Sequence, residues 1–150
     1  MASTLVAMNT HIVFHSKTQS PMRKDDLPRI HQYIGGIVRG MDSIPLIIGG
    51  TENHVHILAT LPKTIALSEF VREIKSKSSY WMKKIDAFYR AFAWQEGYGA
   101  FSVSSSKVDV VKGYIANQEE HHKRVTFKEE YEQFLKAYHI QYDERYLETD

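Results

Sequence analysis

His54 and His56 are separated by a single residue within a stretch, NHVHILATL, that reads as a β-strand. Strand side chains alternate between faces, so both imidazoles leave the same face, about 6.7 Å apart along the chain. Two imidazoles so placed can converge on one cation. Taken alone, the pair fits equally simple chemistry, two polar side chains on the wet face of a sheet, because short histidine spacings are common by chance. A second group lies further on. Tyr114 and Gln118 are four residues apart and share one face of a helix. Tyrosine offers a phenolic nucleophile and glutamine a neutral oxygen ligand. His121 and His122 follow on the next turn, where histidines complement the helix dipole; metal ligation is the weaker reading for both.

The elements that must position these groups can be read from patterning. Residues 5–16 form a strand rich in β-branched and aromatic types. Residues 26–41 form a helix with Asp26 as N-cap and Pro28 in its first turn, weakened by Gly35 and Gly36. SIPLIIGG and NHVHILATL form a hairpin turning at Gly49, Gly50, Glu52 and Asn53. A long amphipathic helix spans 65–89, with Trp81 and Phe88 on its apolar stripe. A fourth strand covers 92–103, interrupted near Gly97 and Gly99. The Ser106/Asp109 spacing predicts a capped helix from Lys107 to about Lys123, and a last helix covers 127–138 before the tail HIQYDERYLETD. The order predicts an α+β fold, a ferredoxin-like βαββαβ sandwich over about 5–104 with an antiparallel sheet, followed by C-terminal helices over about 106–150, all in one domain.

Composition narrows the chemistry. The 150 residues include 43% hydrophobic and 25% charged types, enough for a core and a polar surface. No cysteine is present, which excludes disulfides, thiol catalysis and cysteine zinc sites, and fits a reducing cytoplasm. No signal pattern opens the chain, and no apolar run approaches the roughly 20 residues of a membrane span. The net charge of +1 hides an asymmetry: residues 63–90 hold seven basic and three acidic residues, whereas 119–150 hold five basic and nine acidic. Arg72, Lys75, Lys83 and Lys84 in the basic segment are candidate phosphate contacts, against the plainer reading of a solvated helix face.

Three stretches, in order, resemble one family. GGTENHVHIL resembles the histidine–hydrophobe–histidine motif of HUH enzymes, and GYIANQEEHH resembles the nucleophile helix of single-tyrosine HUH transposases, those of insertion-sequence-200-like elements and their relatives associated with repeated palindromes. FAWQEGYGAFSVS is similar to the family's last strand, and the likeness extends from HIVFHSK to YDERYL. The resemblance implies His54, His56 and Gln118 as ligands of a divalent cation, Mg2+ or Mn2+, and Tyr114 as the nucleophile. It also implies a transposase of a prokaryotic cytoplasm that cuts and rejoins single-stranded DNA with hairpin ends through a 5′-phosphotyrosine. A phenol with a pKa near 10 is phenolate in only about one molecule in a thousand at neutral pH, and the residues alone identify no general base for it.

In the family two subunits pair and share their active sites, so a homodimer is expected. The polar SerSerSerLys segment and Gly113 are compatible with a redirected nucleophile helix. Two other readings stand beside this one: a non-catalytic nucleic-acid-binding module on the same fold, and a metal-dependent phosphodiesterase using water. Sheet-face aromatics would favour the former. An acidic residue near the histidines would favour the latter, and Glu52 is the only one close in sequence.

Overall fold

A computed structural model describes residues 3–17 and 20–143. Residues 144–150, including most of the YDERYL stretch, lie outside the described residues. The elements run β1 (Asn9–His15), α1 (Leu27–Gly40), β2 (Pro45–Thr51), β3 (His54–Thr60), α2 (Leu67–Ile85), β4 (Gly99–Ser102), α3 (Val108–Ala116), α4 (Gln118–His121) and α5 (Phe127–Ala137). The four strands form one sheet in the order β2-β3-β1-β4, with every neighbouring pair antiparallel. This is the order expected of the split βαβ sandwich.

Strand alternation divides the side chains between two faces. Ile12 and Phe14 of β1, with Val55, Ile57 and Ala59 of β3, pack against Ile30, Ile34 and Val38 of α1 and Phe70, Ile74 and Met82 of α2. Each such fully buried aliphatic or aromatic side chain contributes roughly 1.5–3 kcal/mol from removal of apolar surface from water, which fixes the register of the two central strands. The opposite face is covered too. Val13 and Phe101 pack against Phe127, Tyr131 and Leu135 of α5, while Leu58 and Val103 pack against Ile115 of α3. The sheet therefore lies between two helical layers, and the C-terminal helices cover the histidine face.

Several boundaries differ from the sequence expectation for local reasons. β1 begins at Asn9 because β3, its partner, ends at Thr60 opposite it; Leu5 and Val6 are exposed. α2 stops at Ile85 because Asp86 is extended (φ −157°, ψ 133°) and its carboxylate accepts from Phe88 N at 2.9 Å, opening a separate 3-10 turn. Phe88 consequently leaves the apolar stripe and is 49% exposed, beneath the Arg23 guanidinium. Of the expected strand 92–103 only β4 is regular; Phe92 and Trp94 are buried, and a single bridge joins Ser16 to Trp94.

Asp26 does not cap α1 with its side chain; it accepts from Tyr89 OH at 2.5 Å and Arg23 Nε at 3.1 Å. The Ser106/Asp109 capping box does not form either, since a 3-10 turn over Ser105–Lys107 leads directly into α3. The predicted helix 107–123 breaks at Asn117 (φ −102°, ψ 21°), leaving α3 and the short α4. α5 carries a full capping box between Thr126 and Glu129.

Candidate functional site

β3 occupies the middle of the sheet, so residues on its non-core face are buried once helices cover that face. His54 and His56 are both 0% exposed. They are not the wet-face pair that their spacing alone allows. The hairpin that delivers them requires glycine: Gly50 has φ +151°, and a Cβ there would meet His54 O at 2.2 Å. The antiparallel register brings His15 opposite His54 and places His11 opposite Leu58, adding two imidazoles to the same face. His11 Nε2 and His56 Nδ1 are 2.7 Å apart.

The centre of the site is a residue that sequence reasoning missed. Glu130 of α5 is 1% exposed. Its Oε1 lies 2.9 Å from His56 Nε2 and 3.6 Å from His54 Nε2. Its Oε2 accepts a short hydrogen bond from Tyr114 OH and another, at 3.1 Å, from Gln118 Nε2. Gln118, also 1% exposed, directs Oε1 toward His54 Nε2 at 2.9 Å. The structure thus brings together all four residues singled out in the sequence, His54, His56, Tyr114 and Gln118, around one carboxylate.

A sequence signal for Glu130 exists. It occupies a slot on the apolar stripe Phe127, Tyr131, Phe134 and Leu135, where an unpaired carboxylate would be expensive to bury. The sequence position of His122 suggests a dipole-complementing histidine, yet it joins the cluster. Its ring centroid is 4.4 Å from that of His54, and its Nε2 lies 3.2 Å from Glu130 Oε2 without hydrogen-bond geometry. His121 Nε2 is 3.3 Å from Tyr114 OH.

The electrostatics follow from burial and from these contacts. Desolvation, with His56 adding to it, pushes the His54 imidazole down to about 3, and His11 is lowered to about 3 for the same reasons. Both are neutral near pH 7 and present lone pairs. For Glu130, burial pushes the carboxyl up, but contacts with His122, His56 and Tyr114 outweigh it and hold the group below the usual carboxylate range. Burial, then the hydrogen bond to Glu130, raises the Tyr114 phenol above its ordinary value. The arrangement therefore holds an anionic carboxylate beside a protonated phenol.

His54, His56, His122 and Glu130 offer ligand atoms that all lie within 4.8 Å of one another. Neutral imidazoles and an ionised carboxylate are the protonation states that divalent metals bind. His122 Nε2 is a buried polar atom with no hydrogen-bond partner, which a ligand role would satisfy. The donor set fits a divalent cation.

The basic group lies elsewhere. Arg72, Lys75, Lys83 and Lys84 belong to α2, in the helical layer on the far side of the sheet from the histidines. Arg72 pairs with Glu69 at 2.9 Å, and Lys84 lies over the Tyr80 ring at 4.6 Å. Lys75 Nζ donates to Gln95 O at 2.8 Å and Gly97 O at 2.6 Å, a bond set that ties the irregular 95–97 segment to α2. Lys83 lines a groove beside Arg72 and Lys75. Phe101 is buried and stacked on Phe134, so it packs the core rather than facing solvent. Trp81 stacks on Tyr33 at 4.3 Å. Among the described residues, no helix is long and apolar enough to cross a membrane.

Comparison with known proteins identifies the family and the fold. A family model described as "Transposase IS200 like" matches residues 4–118. Among solved structures, a candidate transposase from Deinococcus radiodurans R1 superposes with a TM-score of 0.61 at 15% identity, covering 79% of this chain and 95% of that one. A REP-associated tyrosine transposase bound to a REP hairpin superposes with a TM-score of 0.55 at 15% identity, covering 81% of this chain and 73% of that one. At that identity the likeness is one of fold. No curated protein sequence matches the chain.

Proposed function

Since the chain belongs to the IS200-like transposase family, we propose that it cleaves and rejoins single-stranded DNA with hairpin ends, with Tyr114 as the nucleophile. The observation that carries this reading is the convergence of Tyr114, His54, His56 and Gln118 on one buried point within a single chain.

His54, His56 and Gln118 would hold the divalent ion, Mg2+ or Mn2+. Bound there, it supplies charge neutralisation and polarisation of the phosphate. The remaining steps belong to the protein. The Tyr114 oxygen bonds to phosphorus as the bond from phosphorus to the 3′ oxygen breaks. The DNA 5′ end becomes a phosphotyrosine, and the freed 3′ oxygen takes up a proton. Attack by another 3′ hydroxyl reverses the step without an external energy source, because the phosphodiester's energy is conserved in the intermediate. Glu130 Oε2, already accepting from Tyr114 OH, is the nearest acceptor for the phenolic proton.

In the closed arrangement that transfer runs uphill, since the phenol is shifted up and the carboxyl down. His54, His56, Gln118 and Glu130 are at most 1% exposed, so DNA reaches them only if α5 shifts. A cavity of about 540 Å3 lies beside His122, lined also by Lys24, Asn53, Lys123 and Thr126. The family's pairing of two subunits is part of the proposal: the Tyr114 helix, which here closes on the His54 and His56 of its own chain, would in that pairing serve the site of the second copy.

One observation favours a second reading. Glu130 supplies beside the histidines the carboxylate that a water-using phosphodiesterase needs, which Glu52 in the turn does not. A single assay separates the two. Wild-type protein incubated with a divalent ion and a single-stranded hairpin oligonucleotide should form an adduct that survives denaturing electrophoresis, and Tyr114→Phe should form none while still binding the DNA. Cleavage without any adduct would support the hydrolase, and an adduct persisting in Tyr114→Phe would remove Tyr114 from the role.

A further inference from the structure

The segment matched by the family model ends at residue 118, and two of the four groups that could hold a metal lie beyond it. We propose that His122 and Glu130 are metal ligands in this chain, completing with His54 and His56 a closed four-ligand site for a late first-row divalent ion of the zinc class. The inference rests on the reading of His54 and His56 as metal ligands and concerns the closed state with α5 in place, in which His122 and Glu130 complete the set and Gln118 braces Glu130 rather than binding the ion.

The geometry favours this set. Zinc–nitrogen and zinc–oxygen bonds are about 2.0–2.2 Å, so ligand atoms around a tetrahedral ion stand about 3.3–3.6 Å apart. Glu130 Oε1 lies 2.9 Å from His56 Nε2 and 3.6 Å from His54 Nε2, its Oε2 lies 3.2 Å from His122 Nε2, and the ligand atoms of the four residues all lie within 4.8 Å of one another. Small side-chain adjustments bring these into range. His122 Nε2 and Glu130 Oε2 stand 3.2 Å apart within the buried cluster, close to the separation of two ligands on one ion.

Three of the four ligands are also braced from outside. His11 Nε2 stands 2.7 Å from His56 Nδ1, Asn53 Oδ1 stands 2.7 Å from His54 Nδ1, and Gln118 Nε2 donates to Glu130 Oε2 at 3.1 Å. Ligating side chains held by such outer partners keep their orientation.

Chemistry selects the ion. Three imidazoles and one carboxylate suit zinc, cobalt or nickel far better than magnesium, which demands six near-octahedral oxygen ligands. Four protein ligands leave no open position, the mark of a closed site. A DNA phosphate oxygen can reach such an ion only by displacing a protein ligand. Glu130 is the one carried by the covering helix, so α5 in place keeps the ion and Tyr114 out of reach.

The test uses metal binding to the full chain, read without activity. Zn2+ affinity is measured by competition with a chromophoric chelator, with Mg2+ in large excess as a second arm. Wild-type protein should bind one Zn2+ and retain it against Mg2+. His122→Ala and Glu130→Gln should each weaken Zn2+ binding at least tenfold. If both variants match wild type while His54→Ala/His56→Ala loses the ion, the histidine pair stands and the two added ligands are refuted. If wild type binds no Zn2+, the zinc-class site is refuted while the Mg2+ or Mn2+ reading stands; if the double variant binds Zn2+ as wild type does, the histidine pair is not the ion's site and the metal-centre reading itself fails. Co2+ loaded into wild-type protein gives an independent check that needs no variant to fold. Intense visible absorption of four-coordinate cobalt is expected, and the pale spectrum of a six-coordinate ion overturns the proposal.

Discussion

The histidine hairpin packs closely against the nucleophile helix at Gly49, and adding one methyl group there tests the site geometry. Gly49 lies opposite His56 in the sheet, and an ideal Cβ on it would stand 2.8 Å from Ile115 O and 3.0 Å from Ile115 Cγ2. Ordinary van der Waals contact begins at 3.4 Å, so the backbones of β2 and α3 must separate by about 0.5 Å. The offending atom is a backbone carbonyl, which no rotamer change relieves. Ile115 is 1% exposed and follows Tyr114 directly, so the nucleophile moves with it.

Overpacking of this kind costs about 1–3 kcal/mol, which for a chain of this length lowers Tm by about 2–12 °C. A misplacement of about 1 Å at a reacting centre costs on the order of 100-fold in rate, so half that distance should cost about tenfold. Gly49→Ala should therefore cleave a single-stranded hairpin oligonucleotide about tenfold more slowly in single turnover, because Tyr114 moves with α3 while His54 and His56 stay on β3. Gly36→Ala is the control: a Cβ there meets nothing within 4 Å, and alanine in mid-helix should raise stability by up to about 1 kcal/mol. Wild-type cleavage and melting in Gly49→Ala would refute the claim that this contact sets the position of Tyr114.

Other expectations concern assembly, the basic helix and pH. Mixing a His54→Ala/His56→Ala chain with a Tyr114→Phe chain, each inactive alone, should restore some cleavage if subunits share sites; no recovery despite demonstrated subunit exchange would mean that each chain builds its own. Lys75→Met should destabilise the fold by about 1.5–3 kcal/mol in chemical denaturation, because its ammonium holds the Gln95 and Gly97 carbonyls. Lys83→Glu should leave stability unchanged and lower the slope of log affinity against log salt by about 0.7 if Lys83 contacts a single-strand phosphate, and an unchanged slope returns it to the solvated face. Burial lowers His31 from 6.5 to about 4, so the unfolded chain takes up its proton first as pH falls. Stability should be full above about pH 6.5 and drop toward pH 4, less steeply in His31→Leu; identical pH dependence in denaturant titrations of the two proteins would contradict this.

Much of the site was legible in the sequence because its information is local. A period of two puts His54 and His56 on one face of any strand, and a spacing of four puts Tyr114 and Gln118 on one face of any helix. The element order likewise implies the sheet order found, since the crossovers leave few ways to bury Ile12, Phe14, Val55 and Ile57 together. Boundaries were less legible where one side chain decides them, as at Asp86, whose carboxylate ends α2 by capping the next turn.

Whether the histidine face would be wet or covered depended on where the C-terminal helices dock, which no spacing encodes. Docking of α5 carries Glu130, 74 residues from His56 in the chain, into the middle of the site, and draws His122 in with it. It also separates the basic face of α2 from the chemistry by the thickness of the sheet. The sequence by itself determined which groups could react and in what local pairs. Only the tertiary structure decided that those groups are buried, neutral at His54, anionic at Glu130 and gathered around one point, because burial and charge pairing depend on contacts between residues far apart in the chain.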